Sequence, residues 1–221
     1  MTEPISIDIW SDIACPWCYI GKRNLEKGLA DVAGDDDAPQ VAITFHSFQL
    51  QPNAAVDYPG THEEYLAEHV GMSVEQAQAS AQHLTDLGAK AGLEYHFDVI
   101  QQTNTFQAHE LLHFAAAHGR QHEMKERLMA AHFSEGRHVG HLDDLVALAE
   151  EIGLDVDAAR AALTSGEYAD AVRADIAQAR AYGIQGVPFF VIDGKYGVSG
   201  AQPAEAFAQI ARQVWAEKQQ A

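Results

Sequence analysis

The chain has 221 residues, 47% of them hydrophobic, so it can bury a large core, and no apolar run approaches the ~20 residues that a helix needs to cross a membrane. Its formal charge is −18, from 32 acidic against 14 basic side chains, which argues against nucleic acid and anionic membrane as partners. No basic-then-apolar segment opens the chain, so a cytoplasmic location is expected, where a pair of cysteines suits redox cycling better than a structural crosslink.

Ile5 to Trp10 alternates apolar and polar residues and predicts a strand, which Asp12 breaks. From Cys15 the spacing turns helical, through Tyr19, Leu25, Glu26 and Leu29 to Gly34, with Pro16 in the first turn, where its missing N–H is harmless. Asp35-Asp36-Asp37 reads as a solvated loop, since its spacing does not fit a calcium loop. Val41 to Leu50 is β-branched, aromatic and alternating, and predicts a second strand, completing a βαβ unit with parallel strands.

The middle reads as helices. Thr61 with Glu64 and Ser73 with Gln76 form two capping-box patterns, opening helices to Val70 and Ala91. Leu93 to Phe97 is expected to be extended. Further helices are predicted from Thr103-Asn104-Thr105 to His118, then over 124–133, 142–152, 156–163 and 168–182, most of them stopped by glycine. Gly186 to Ser199 holds two short strands around Asp193-Gly194, a hairpin signature. A last helix over 203–218 should bury Ala206, Phe207, Ile210, Val214 and Trp215. The order β-α-β, helices, β-hairpin, α is that of an α/β thioredoxin-like fold with a large all-helical insertion, residues 1–59 and 165–221 forming the first part and 60–164 the insertion.

The chemistry concentrates in Cys15-Pro16-Trp17-Cys18, which holds both cysteines of the protein. A thiol at a helix N-terminus faces unpaired N–H groups and the positive end of the helix dipole, so Cys15 is expected to have a depressed pKa and to be the attacking sulfur. Cys18 lies one turn further along the same face and is expected to be the more buried, resolving thiol. The competing reading is half a zinc site, which lacks further thiolates and has no histidine at short ligand spacing. Thiol–disulfide exchange follows, with no cofactor or metal required. Trp17 is either an exposed apolar ring on the substrate surface or a packing residue.

Cys15-Pro16-Trp17-Cys18 after a strand, with Val187-Pro188 before a late strand, resembles the DsbA-like branch of thioredoxin-fold proteins. Ser11-Asp12, Tyr19-Ile20-Gly21-Lys22, Asn104-Thr105, Ala108-His109, Gly186 to Phe190 and Ser199 to Gln202 narrow the resemblance to the FrnE-like subgroup, which is cytosolic. The resemblance implies a cis bond before Pro188, a Val187 backbone that pairs with substrate, and substrate contacts from Pro16, Trp17, Asn104 and His109. It implies protein or small-molecule thiols and disulfides as partners, and admits glutathione as co-substrate and a homodimer.

Three rival readings stand beside this one. Glutathione-dependent isomerases of the 2-hydroxychromene-2-carboxylate type and kappa-type transferases look similar at Asn104, Val187-Pro188 and Ser199-Gly200. They usually carry Ser where this chain has Cys15, and many place an acid where it has Gln202. His109-Glu110-Leu111-Leu112-His113 matches the H-E-x-x-H zinc-peptidase pattern, with His138 and His141 as further ligand candidates. The helical block is also compatible with a chaperone surface, though no motif specifies one.

Overall fold

The computed structural model describes residues 3–34 and 38–220; the acidic run Asp35-Asp36-Asp37 lies outside the described residues. The elements run β1 (Ile5–Ser11), α1 (Pro16–Ala33), β2 (Val41–Ser47), α2 (His62–Val70), α3 (Val74–Lys90), α4 (Phe106–Ala117), α5 (Gln121–Phe133), α6 (Leu142–Glu151), α7 (Val156–Ser165), α8 (Ala169–Ala181), β3 (Phe189–Ile192), β4 (Tyr196–Ser199) and α9 (Ala204–Gln220). The strands form a mixed sheet in the order β2-β1-β3-β4, with β1 parallel to β2 and antiparallel to β3.

The alternation of β1 decides what each face of the sheet meets. Ile5, Ile7 and Ile9 point into one core with Phe190 and Ile192 of β3, Leu25 of α1, and Phe207 and Val214 of α9. The register sets Ile9 between Phe45 and Phe190. Helices α1 and α9 pack closely because Gly28 has no side chain: a Cβ there would lie 2.4 Å from the Ala204 carbonyl oxygen. On the other face of the sheet, Trp10 of β1 stacks on His46 of β2 and donates its indole N–H to the Asp175 carbonyl of α8 at 3.1 Å.

Both capping boxes form as expected, Thr61 with Glu64 and Ser73 with Gln76. The second strand ends at Ser47 rather than Leu50, because the Leu50 N–H donates to Asp12 Oδ2 at 2.8 Å. Leu93 to Phe97 is not a strand; Leu93, Tyr95 and Phe97 turn inward to a second apolar cluster. Thr105 makes no side-chain cap; Asn104 Oδ1 accepts the Phe106 N–H at 2.9 Å instead. In α9, Ala206 is exposed while Ala204, Ala208 and Ala211 are buried. No helix is long and apolar enough to cross a membrane among the described residues.

Candidate active site

Strand β1 delivers the chain to the mouth of α1. Pro16 takes the first turn of that helix and leaves Cys15 at the N-cap in extended conformation, with no side chain capping the helix end. The Cys18 N–H donates to the Cys15 carbonyl at 3.0 Å, so the first turn brings the two side chains together. Both thiols are free, and their sulfurs are in mutual hydrogen-bond contact. Cys15 Sγ also lies 3.5 Å from the Val187 carbonyl oxygen. The Val187–Pro188 bond is cis. The Pro188 ring sits against α1 where Gly21 leaves room: a Cβ on Gly21 would be 2.9 Å from Pro188 Cγ.

Cys15 is 3% exposed and Cys18 2%, so both sulfurs are buried. The cover comes from the helices between β2 and β3: Leu84 of α3, Met129 and Phe133 of α5, and Leu93, Tyr95, Phe97 and Ile100 pack around the cysteines. The order of ionisation is the reverse of the helix-dipole argument. The hydrogen bond to Cys18, then burial, pushes the Cys15 thiol up. Burial also opposes the Cys18 thiolate, but the hydrogen bond from Cys15, the Lys125 charge and the Ser11 hydroxyl outweigh it, so Cys18 lies below its usual range. Of the two sulfurs, Cys18 gives up its proton the more readily.

Asp12 anchors the loop beneath the pair. It is 2% exposed, yet four groups reach its carboxylate: the Leu50 N–H at 2.8 Å, Thr105 Oγ1 at 2.8 Å, His109 Nε2 at 3.3 Å and the Ala14 N–H at 3.5 Å. Burial favours the acid form, but these donors outweigh it and hold the carboxyl below its ordinary value. Beside this loop opens a cavity of about 390 Å³. Its lining includes Pro16, Trp17, Leu50, Tyr65 and Leu84, with polar groups such as Gln102 among them. Trp17 is 41% exposed and borders a second cavity, about 650 Å³, so it stands as an open ring beside the two cysteines.

Residues 6–211 match the family model of the DSBA-like thioredoxin domain. The chain belongs to that family. It is 43% identical to a probable DsbA oxidoreductase from Streptomyces coelicolor, with a TM-score of 0.88 over 96% of this chain and 91% of that one. It is 29% identical to the uncharacterized protein YwbO of Bacillus subtilis over 92% of this chain and 94% of the relative. The cytosolic disulfide reductase DsbM of Pseudomonas aeruginosa, solved with GSH, shares the fold at a TM-score of 0.66 and 17% identity, over 95% and 99% of the two chains.

Around the DSBA-like centre the remaining sequence-selected residues take other work. Asn104 spends its whole side chain on loops: Nδ2 donates to the Pro52 and Ala54 carbonyls, and Oδ1 accepts from Phe106 N and Gln49 Nε2. It does not line the cavity. His109 is 0% exposed, and its Nε2 faces Asp12 Oδ1. The H-E-x-x-H pattern divides between two carboxylates, since His113 Nε2 pairs with Asp175 Oδ2 at 2.9 Å while His109 turns to Asp12. Glu110 between them is buried. Asp57, His138 and His141 cluster elsewhere. His138 Nδ1 accepts the N–H groups of Gly140 and His141, which leaves its proton on Nε2, facing the Val56 carbonyl, with no lone pair for a metal.

Lys125 is the site residue that motif reading passed over, and the role of Asp12 as a meeting point of donors is not legible in its motif. Lys125 carries a readable signal: with Leu128, Met129 and His132 it occupies one helical face that is otherwise the buried side of α5.

Proposed function

We propose that this DSBA-like protein exchanges disulfides with protein or small-molecule thiols through Cys15 and Cys18. One observation carries the reading: two free sulfurs in contact at the open end of α1, with the Val187 carbonyl and Pro188 beside them. The Cys15 proton passes to the Cys18 sulfur, the Cys15 thiolate attacks a disulfide R–S–S–R′ to form the mixed disulfide of Cys15 with R–S, and the expelled R′S⁻ takes the proton back from Cys18 as R′–SH. The Cys18 thiolate then attacks Cys15, closes the intramolecular disulfide and expels RS⁻. Two electrons pass from the pair to the substrate, and the reverse order oxidises a dithiol. Trp17 and the apolar cavity wall offer a surface for the group attached to the substrate sulfur.

The cavity lining favours uncharged or apolar substrates over glutathione. Asp12 and His62 are its acid and base, and no lysine or arginine lines it, so a doubly carboxylated tripeptide finds no countercharge there. Gln202, where isomerase relatives place an acid, donates its amide to the Ser199 carbonyl at 2.8 Å. A cytoplasmic setting, the FrnE-like subgroup and a division into 1–59 with 165–221 and 60–164 belong to the same proposal.

The test is turbidimetric reduction of insulin by dithiothreitol with catalytic protein. The native chain should accelerate it and Cys15→Ser should not; a fully active Cys15→Ser variant would sink the reading. Acceleration of 2-hydroxychromene-2-carboxylate isomerisation by added glutathione would favour the isomerase reading instead.

A further inference from the structure

Three polar side chains reach the cavity beside the cysteines with hydrogen-bonding capacity to spare. His62 and Tyr65 stand one turn apart on the same face of α2, and Gln102 comes from the segment before α4. All three line the 390 Å³ cavity together with Pro16 and Trp17 of the cysteine motif. Tyr65 is 6% exposed and Gln102 8%. The Gln102 amide donates from Nε2 to His62 Nδ1 at 2.7 Å, which leaves the His62 proton on Nε2. Beyond that bond, Tyr65 Oη, His62 Nε2 and Gln102 Oε1 have no hydrogen-bond partner among the described residues. None of these atoms is sealed from solvent. A buried phenol or amide usually finds its partner inside the protein, so unspent atoms on a cavity wall point to a ligand.

The rings are fixed before any ligand arrives. Tyr65 stacks on His69 with centroids 4.2 Å apart and meets Tyr58 edge-on at 5.1 Å. His62 packs on Phe97 at 5.1 Å.

The three atoms narrow the chemistry of what fits. His62 Nε2–H donates, Gln102 Oε1 accepts, and the Tyr65 hydroxyl does either. Burial keeps His62 neutral, and burial with the Asp12 charge keeps the Tyr65 phenol protonated. Asp12 lines the cavity and no lysine or arginine does, so a carboxylate finds an anion there and no countercharge. A peptide group is neutral and carries one N–H and one C=O, which answer one acceptor and one donor. Leu66, Val70 and Leu84 add an apolar wall for a side chain.

We propose that Tyr65, His62 and Gln102 hold a peptide group next to the substrate cysteine while an apolar neighbouring side chain fills the cavity. The subsite selects neutral polypeptide disulfides over small charged ones. The inference rests on the exchange reading above.

The experiment mixes reduced native protein, Tyr65→Phe and Gln102→Leu rapidly with two neutral disulfides and follows thiol release against disulfide concentration. One is the disulfide dimer of N-acetyl-leucyl-cysteine methylamide; the other is bis(2-methoxyethyl) disulfide, which has no amide. Each variant should raise the half-saturating concentration for the peptide about fivefold, the scale of one hydrogen bond, at an unchanged limiting rate. With the amide-free disulfide neither variant should move it by more than about twofold. An unchanged value for the peptide in either variant, or equal rises with both disulfides, would overturn the proposal. Tyr65→Phe keeps the ring on His69, so it decides alone if Gln102→Leu does not fold. If the native protein releases no thiol from either disulfide, the exchange reading fails, and calorimetric binding of the S-methylated peptide decides the subsite. The native chain should then bind it about fivefold more tightly than Tyr65→Phe does, and equal or undetectable binding overturns the proposal.

Discussion

Tyr95 Oη donates to the Pro16 carbonyl at 2.7 Å across 79 positions of sequence. A phenol from the long helical excursion thereby pins the first turn of α1, between the two cysteines. Tyr95 is 4% exposed and packs on Tyr19 and Phe133, so its ring stays when only the hydroxyl is removed. Tyr95→Phe should cost about 1 kcal/mol in urea unfolding. Alkylation of Cys15 by iodoacetamide should speed up in the variant, because the cover over the pair opens more often. A slower or unchanged alkylation rate would contradict the pinning role.

Gly28 is where α1 meets the start of α9. A methyl group there would press on the backbone oxygen of Ala204 and on Phe207 Cβ, at 2.4 and 2.9 Å, and neither is a flexible tip. Gly28→Ala should therefore destabilise by roughly 1–3 kcal/mol despite the gain in helix propensity. Calorimetric melting checks this; a melting temperature above that of the native chain would show that α9 moves aside freely.

His46 ties β1, β2 and α8 together, with Nδ1 2.8 Å from Asp175 Oδ1 and Nε2 2.9 Å from Asp8 Oδ1. Burial opposes its charge, but the two carboxylates outweigh burial and raise its pKa. The folded value therefore exceeds the unfolded one of about 6.5. The stabilisation is full below that unfolded value and is lost as pH rises through the folded value. Denaturation midpoints of native protein and His46→Gln should differ most near pH 5.5 and converge above neutrality. A difference that grows with pH would refute the sign.

Trp17 makes no side-chain hydrogen bond and stands 41% exposed between two cavities. Trp17→Ala should leave melting nearly unchanged and raise KM for a peptide disulfide with apolar flanks roughly five- to tenfold, the scale of one lost aromatic contact. A small charged disulfide should be affected less. Equal KM changes for both substrates would mean that the ring only shapes the motif.

Much of this molecule can be read from local pattern. The alternation of Ile5, Ile7 and Ile9 and the boxes at Thr61 and Ser73 act over one or two turns or along one strand, where sterics and hydrogen bonding to neighbours suffice. The proximity of Cys15 and Cys18 is local too, since three residues of helix bring them together. Their surroundings are not. Asp12 reads locally as a strand breaker, and folding makes it the meeting point of Leu50, Thr105 and His109. Helix-dipole reasoning favours ionisation of Cys15, but burial, the hydrogen bond between the sulfurs and an amine more than a hundred residues away favour Cys18. Ionisation responds to every charge within a low-dielectric interior, whatever its place in the chain, so only the tertiary structure decides which sulfur holds the proton.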